Sequence, residues 1–372
     1  MRTRAAVLWP GASEWAVEEI TLDPPGPGEV LVRLAASGLC HSDDRLLRGG
    51  YSGMRLPMIG GHEGAGVVEA VGPGVHRVRP GEHVVLSIPV PPCGDCPACL
   101  DGLTYFCERG ALLGEGFQVS DGTARHHARG QDLGAFVFLG AFAEHTVVDE
   151  RSCVPVDASL PPELACTIGC AGVTGWGAVL NTAAVRPGEV VVVAGVGGIG
   201  ANALQAARFA GARAVVAVDR EPFKREVAAK LGASAAVASL EEALPAVREL
   251  TGGRMANVVV LAIGDGDGRL LEPALSLVGR RGRVVVAAAE STATIDLRAL
   301  QSMEKQVLGC FAGSWDGRRG VAFLAGLHQA GHYDLDTIVT RTYGSLDDLA
   351  AGYRDQAEGR VVRGVIVHRH AG

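Results

Sequence analysis

No apolar run in this sequence reaches the roughly 18 residues that a membrane-crossing helix needs, so no helical span is expected. The first ten residues, Met1 to Pro10, hold two arginines and a short apolar run, but no small-residue cleavage pattern follows. They read as a first β-strand rather than a secretory signal, and the expected location is cytoplasmic. A basic surplus is missing too. The formal charge is −7, and the richest basic runs, Arg280-Arg281-Gly282-Arg283 and Arg318-Arg319, are short. A protein that grips a phosphate backbone shows a basic stripe, so neither nucleic acid nor membrane is an expected partner. Disorder is set aside by 48% hydrophobic residues against 20% charged. The 52 glycines have no collagen-like period and no short internal repeat is evident, which leaves a globular fold with many tight turns.

At 372 residues the chain exceeds one ordinary core, and two domains are expected. Its nine cysteines are an odd number, with four crowded between positions 93 and 107. In a long acidic chain without a signal this crowding points to metal rather than disulfides. Cys93, Cys96 and Cys99 stand at three-residue steps, and Cys107 follows eight residues later. Three thiolates so spaced wrap one ion, and the fourth closes a tetrahedron. Four thiolates leave no open position, so this zinc is expected to be structural. An iron–sulfur cluster is the alternative occupant.

Residues 1 to about 90 read as β-rich. Val30 to Leu34 alternates as a half-buried strand does, and further strands are expected at 67–71 and 83–86, parted by turns at 72–74 and 79–82. Two polar stretches lie within this region. Gly38-Leu39-Cys40-His41-Ser42-Asp43-Asp44 gathers a thiol, an imidazole, a hydroxyl and two carboxylates. It reads as one corner of a catalytic zinc site, with Cys40 as ligand, Ser42 moving a proton beside it and Asp43 steadying another ligand. In Gly60-Gly61-His62-Glu63-Gly64 the glycines let the backbone fold tightly, so that imidazole and carboxylate face one cavity. A lone histidine is more often a satisfied turn residue. With these glycines around it, His62 reads as a neutral nitrogen ligand for zinc.

Residues 108–140 read as loop. Their His126-His127 pair is assigned to surface or interface packing, because neighbouring side chains in an extended segment point opposite ways. A strand is expected at 141–148, then a helical run over 163–181. On a helix Cys166 and Cys170 would share a face. Cys170 is taken as the third zinc ligand and Cys166 as a small core residue, but the spacing alone leaves that choice open.

The pattern changes at Arg186-Pro187-Gly188-Glu189. Val190 to Ala194 is a continuous apolar strand, as in a parallel sheet covered on both faces. The glycine loop Gly195-Val196-Gly197-Gly198-Ile199-Gly200 follows at once, then a helix, then a strand over 214–218 ending in Asp219. A lone G-x-G-x-x-G is weak. Set between strand and helix, with an acid twenty-four residues after Gly195, it marks a dinucleotide site. The helix N-terminus favours the pyrophosphate. Asp219 suits ribose hydroxyls and repels a 2′-phosphate, which prefers NAD over NADP, while Arg220 beside it weakens that preference. Strands at 258–262, 283–287 and 306–309 continue the βα rhythm. A helix near 320–330 and a strand over 361–367 close the chain.

Taken together, Gly38 to Asp44, Gly60 to Gly66, the four-cysteine lobe, Ile168 to Gly175 and the glycine loop with Asp219 resemble the zinc-dependent medium-chain alcohol dehydrogenases over nearly the whole chain. The resemblance implies an α/β fold: a GroES-like β-rich catalytic domain (1–176), a Rossmann domain with a doubly wound parallel sheet (177–314), and a return to the first domain (315–372). It makes Cys40, His62 and Cys170 the catalytic zinc ligands, a two-cysteine, one-histidine set known from alcohol dehydrogenase. Glu63 becomes the acid that approaches the metal during ligand exchange, and Asp43 the carboxylate that fixes the His62 tautomer. Thr174 and Ile199 would pack on the nicotinamide, Lys224 would reach the adenosine ribose, and His41 and Arg363 the pyrophosphate. Pro89, Phe138 and Leu139 would line the substrate pocket, with Pro89 replacing a bulkier aromatic and leaving room for a larger alcohol.

The implied cofactors are two zinc ions per chain, one catalytic and one structural, and NAD(H). The implied partners are an alcohol or aldehyde and a second copy of the chain, as a homodimer, with a tetramer as the alternative. The long loop around 121–140 and the start of the chain resemble the animal- and plant-type and nicotinoprotein branches. Nicotinoproteins retain NAD and pass electrons to another acceptor. A thiol-adduct formaldehyde dehydrogenase is the other alternative. One departure stands out. Arg45 occupies the position where the family often has a histidine that passes the alcohol proton to solvent, and an arginine does not titrate at working pH.

Overall fold

The computed structural model describes residues 1–264, 268–288 and 292–369. The chain opens with β1 (Arg2–Leu8), β2 (Ala16–Leu22), β3 (Glu29–Gly38), α1 (His41–Leu47), β4 (Met58–Ile59), β5 (Gly64–Val71), β6 (His83–Leu86) and α2 (Pro97–Leu100). It continues through β7 (His126–Ala128), β8 (Gln131–Ala135), β9 (His145–Asp149), β10 (Cys153–Pro155), α3 (Pro162–Ala165) and α4 (Ala171–Gly177). A regular alternation follows: β11 (Val190–Ala194), α5 (Gly198–Phe209), β12 (Ala214–Val218), α6 (Pro222–Lys230), β13 (Ala235–Val237), α7 (Leu240–Thr251), β14 (Ala256–Leu261), α8 (Leu271–Leu277), β15 (Val278–Val286), α9 (Leu297–Met303) and β16 (Gln306–Gly309). α10 (Gly317–Gln329), β17 (Val339–Tyr343), α11 (Leu349–Ala357) and β18 (Arg363–Val367) complete it.

The alternating part is a parallel sheet in the order β13-β12-β11-β14-β15-β16. Its adjacent strands β11 and β12 are apolar and buried at every position because both faces are covered. Val191 and Val193 of β11 point into the core under α5 and α6, with Leu204 and Val227. Val190, Val192 and Ala194 point the other way, toward Val247 of α7 and Leu275 of α8. The strand order reverses at β11, and that reversal opens the crevice where a dinucleotide fold binds its ligand.

The first part holds a small closed barrel, β1-β2-β7-β8-β4, and a second sheet ordered β10-β6-β5-β3-β18-β17, with β9 also on β3. β18, near the end of the described chain, lies in this second sheet. It runs antiparallel to β3, with Val365 opposite Gly38, and parallel to β17. That register sets Arg363 beside the segment that begins at Cys40.

Three local expectations are corrected. Within the region read as loop, β7 and β8 form a hairpin whose turn residues, Arg129 and Gly130, both have positive φ (52° and 70°). Such a turn is usually announced by Asn-Gly or Asp-Gly, so Arg-Gly concealed it. His126 and His127 do point opposite ways. His126 is buried near Thr146, a core rather than a surface position, and His127 sits between Asp23 and Asp132. The helical run over 163–181 is not one helix either. It bends by 51° at Cys170, whose φ and ψ (−128°, −74°) leave the helical region.

Candidate active site

The bend at Cys170 decides which cysteine joins the site. Cys40, His62, Glu63 and Cys170 offer donor atoms that all lie within 4.8 Å of one another. Cys166 stays in the core, its thiol turned to the Glu163 carbonyl and its pKa pushed well up by burial. Cys40 immediately precedes α1, and Cys170 immediately precedes α4. His62 and Glu63 lead into β5 through Gly61. Gly61 has φ 85°, and a side chain there would overlap the Phe142 backbone nitrogen, so only glycine permits the turn that aims His62 inward.

Asp43 holds this turn from below. Its Oδ1 accepts from the Gly61 N–H at 2.8 Å and lies 3.1 Å from His62 Nδ1. A proton kept on Nδ1 leaves Nε2 with its lone pair for the cluster. Burial works against charge on the His62 ring, yet the Asp43 and Cys40 charges hold its pKa well above the usual value. Burial likewise raises Asp43 and Glu63. The Cys40–Cys170 contact draws the Cys40 thiol well down and pushes Cys170 well up, so the pair favours one thiolate over two until a cation arrives. Two thiols, an imidazole nitrogen and a carboxylate are a donor set suited to zinc. Glu63 is also held from behind: its carboxylate forms a buried ion pair with Arg363 and accepts from the Ala171 N–H at 3.3 Å.

The second cluster is Cys93, Cys96, Cys99 and Cys107, again with donors within 4.8 Å of one another. N–H groups of Asp95 and Cys96 point at Cys93 Sγ (3.4 and 3.3 Å) and lower its thiol to about 6, while burial raises Cys99 to about 12. Among the described residues these two clusters are the only groups of three or more such side chains placed to share an ion.

The glycine loop caps β11. Gly200 packs so closely on the Gly195 carbonyl that no side chain fits there, and Gly197, at the N-terminus of α5, faces open space. Asp219 closes the loop: its Oδ2 accepts from the Val196 N–H at 2.8 Å and its Oδ1 from the Glu221 N–H at 2.9 Å. Arg220 projects outward with its side chain 81% exposed, paired with Glu221 at 3.2 Å. Lys224 lies half-buried on α6. Thr174 is buried on α4, and the next residue, Gly175, packs on the start of α5 at the Ile199 carbonyl. The Arg363 guanidinium reaches Gly198 at that same helix start, and His41 is exposed at the start of α1.

On the proposed substrate side, Leu139 is fully buried among the strands of the second sheet, and Phe138 is buried with a positive φ of 60°. Pro89 lines a small recess with Tyr105, Arg151 and Arg318, toward the four-cysteine lobe. The ring that meets His62 is Phe136, edge-on at 5.5 Å between centroids. Tyr51 packs on Phe136 at 5.9 Å, and its other face lies under the Arg45 guanidinium, 4.6 Å from the ring centre. Neither Phe136 nor Tyr51 stood out in the sequence. Their one signal is that they are aromatics in a chain with only 5% of them.

Residues 26–158 match the alcohol dehydrogenase GroES-like domain, and residues 198–325 match the zinc-binding dehydrogenase domain. An NDMA-dependent alcohol dehydrogenase of Amycolatopsis methanolica is 43% identical over 99% of each chain. Among solved structures, an alcohol dehydrogenase zinc-binding domain protein from Burkholderia ambifaria superposes with a TM-score of 0.91 at 33% identity, covering 100% of both chains. Benzyl alcohol dehydrogenase from Acinetobacter calcoaceticus does so at 0.88 and 29%, covering 99% of this chain and 100% of its own. The chain belongs to the zinc-dependent medium-chain alcohol dehydrogenase family.

Proposed function

We propose that the protein interconverts an alcohol and an aldehyde, with zinc at Cys40, His62 and Cys170 and NAD(H) in the crevice beside them. The observation that carries this reading is the convergence of four donor side chains next to the N-terminus of α5, bridged to it by Arg363. Zinc so held would supply Lewis acidity toward the substrate oxygen. The chain's own part is positional and acid–base. Ser42, whose Oγ lies 3.8 Å from Cys40 Sγ, receives the alcohol proton. Asp43 fixes the His62 tautomer, and Glu63, restrained by Arg363, waits within ligand distance for exchange. A second zinc at Cys93, Cys96, Cys99 and Cys107 is structural.

For the dinucleotide, Gly195, Gly197, Gly198 and Gly200 admit the pyrophosphate to the N–H groups of α5, and Arg363 and His41 add positive charge. Asp219 accepts from the adenosine ribose and disfavours a 2′-phosphate. The outward, Glu221-paired Arg220 does little to offset it, and Lys224 contacts the same ribose. Thr174 and Ile199 flank the nicotinamide.

The 43% identity to an NDMA-dependent enzyme favours a more specific reading: the nucleotide stays bound and an external acceptor takes the electrons. With a benzyl alcohol dehydrogenase among the structural neighbours, the substrate is an alcohol of benzyl size. The test is to purify the protein, count zinc per chain, and release nucleotide by denaturation. Benzyl alcohol is then oxidised with NDMA and no added NAD. Two zincs, retained NAD and turnover support the nicotinoprotein reading. Two zincs, no nucleotide and turnover only with added NAD restrict it to an ordinary NAD-dependent dehydrogenase. No turnover under either condition refutes the function.

A further inference from the structure

We infer that Tyr333, acting through Asn202, is a positioning residue that aims the first N–H groups of α5 at the dinucleotide. This rests on the reading above, in which the pyrophosphate sits at that helix start.

Tyr333 lies in the connection between α10 and β17, 131 positions beyond Asn202. Its hydroxyl donates to Asn202 Oδ1, and Asn202 Nδ2 donates to the Gly198 carbonyl at 2.8 Å. All three residues are buried, Asn202 completely. The direction of these bonds is fixed from the loop end. A carbonyl only accepts, so the amide turns its NH2 to Gly198 and leaves Oδ1 needing a donor. Among the described residues the Tyr333 hydroxyl is the only side chain that supplies one. Burial raises the Tyr333 pKa, and the Glu63 charge adds to it, so the phenol stays a donor.

Holding the Gly198 carbonyl holds a peptide plane. The N–H of Ile199 belongs to that plane and points the opposite way. It faces out of the helix start, where the first N–H groups have no partner within the helix. A tilt of the plane would misdirect one of the donors that a pyrophosphate uses there.

The ring that carries the hydroxyl is fixed in turn by α4, which starts just after Cys170. It stands edge-on to Trp176 at 5.3 Å between centroids, and a Cβ at Gly172 would lie 3.1 Å from Tyr333 Oη. The link Tyr333–Asn202–Gly198 thus ties the glycine loop to the helix beside the donor cluster. One turn further along α5, Gln205 makes a second link to the same segment. Its Nε2 donates to the Asp334 carbonyl at 3.0 Å, and its Oε1 accepts from the Asp334 N–H at 2.8 Å. Neither bond reaches the glycine loop, so Gln205 separates docking of the helix from aim of its N–H groups.

The test reads nucleotide binding rather than turnover. Bound nucleotide is removed from the zinc-loaded protein on charcoal, and NADH is titrated back while its fluorescence is followed. Tyr333→Phe keeps the ring on Trp176 and removes only the hydroxyl. It should weaken NADH binding about threefold to tenfold, the span of one net hydrogen bond, at unchanged zinc content. Asn202→Ala should weaken it as much. The double variant should lose no more than the larger single effect, because both residues act through one link. Gln205→Ala should stay within about twofold of the wild type. Equal weakening by Gln205→Ala overturns the inference and marks Tyr333 as docking only. Additive losses in the double variant overturn it too. If the wild type binds NADH and Tyr333→Phe binds it as tightly, this inference falls and the function stands. If the wild type binds no NADH, both fall.

Discussion

Glu63 and Arg363, 300 positions apart in the chain, form a buried ion pair, with Arg363 Nε 3.0 Å from Glu63 Oε2. The pair joins the entry of β5 to the start of β18, and the guanidinium also touches the first turn of α5. The donor cluster, the last strand and the glycine loop thus meet at one arginine.

Removing that arginine should cost more than the pair is worth. Arg363→Leu leaves the Glu63 carboxylate buried without its cation, a change expected to destabilise by about 3–5 kcal/mol. Adding Glu63→Gln removes the stranded charge and should recover much of the loss. Denaturant midpoints of the single and double variants check this. A double variant no more stable than Arg363→Leu would show that the damage lies elsewhere.

Asp43→Asn should act on metal affinity rather than on the fold. The amide oxygen can still accept from the Gly61 N–H, but an NH2 donor replaces the Oδ2 that lies 3.0 Å from His62 Nδ1; donating there, it favours the opposite tautomer, which would turn an N–H toward the donor cluster. A lost partner of this kind weakens metal binding by about 10–100-fold. Competition with a chelator should show one zinc leaving more readily while the zinc of the four-cysteine lobe is held as before.

Much of this site could be read from the chain, and the exceptions share a cause. The valine run of β11, the glycine loop and the cysteine lobe are local patterns whose spacing carries their chemistry. The choice of Cys170 over Cys166 depends on a 51° bend that no spacing reveals. The Arg363–Glu63 pair depends on β18 returning to β3, so the sequence suggested a pyrophosphate contact for Arg363 and no partner. Tyr51 and Phe136 gain meaning only from ring packing between separate elements. The β7–β8 hairpin was missed because Arg129 occupies a left-handed position that usually falls to asparagine or glycine.

The four-cysteine lobe should depend on its metal for order. Leu100, Leu103 and Phe106 are 73%, 41% and 55% exposed, so little apolar burial holds this segment. Cys99→Ser should lower the zinc content by one per chain and open the segment around 93–114 to a protease first, while the donor cluster at Cys40 keeps its metal. Zinc analysis and mapping of the first cleavage check both halves. Unchanged zinc content would refute the four-thiolate site.

His126 should contribute to acid sensitivity. Burial lowers its pKa to about 3, so the folded protein keeps the ring neutral while the unfolded chain binds a proton near pH 6.5. The unfolded state therefore holds more protons between those values, and stability falls with falling pH across that window. The contribution is fully present above about pH 6.5 and is lost progressively toward pH 3, with a ceiling on the order of 5 kcal/mol. His126→Gln keeps a polar group near the Thr146 hydroxyl, 3.4 Å from the ring in the native protein, and removes the titration. Other acid-labile groups, the zinc ligands among them, remain in both proteins, so the informative quantity is the difference between variant and wild type. That difference should change steadily from pH 6.5 downward in favour of the variant. A constant offset across the range would mean that His126 is protonated in the folded state as readily as in the unfolded one.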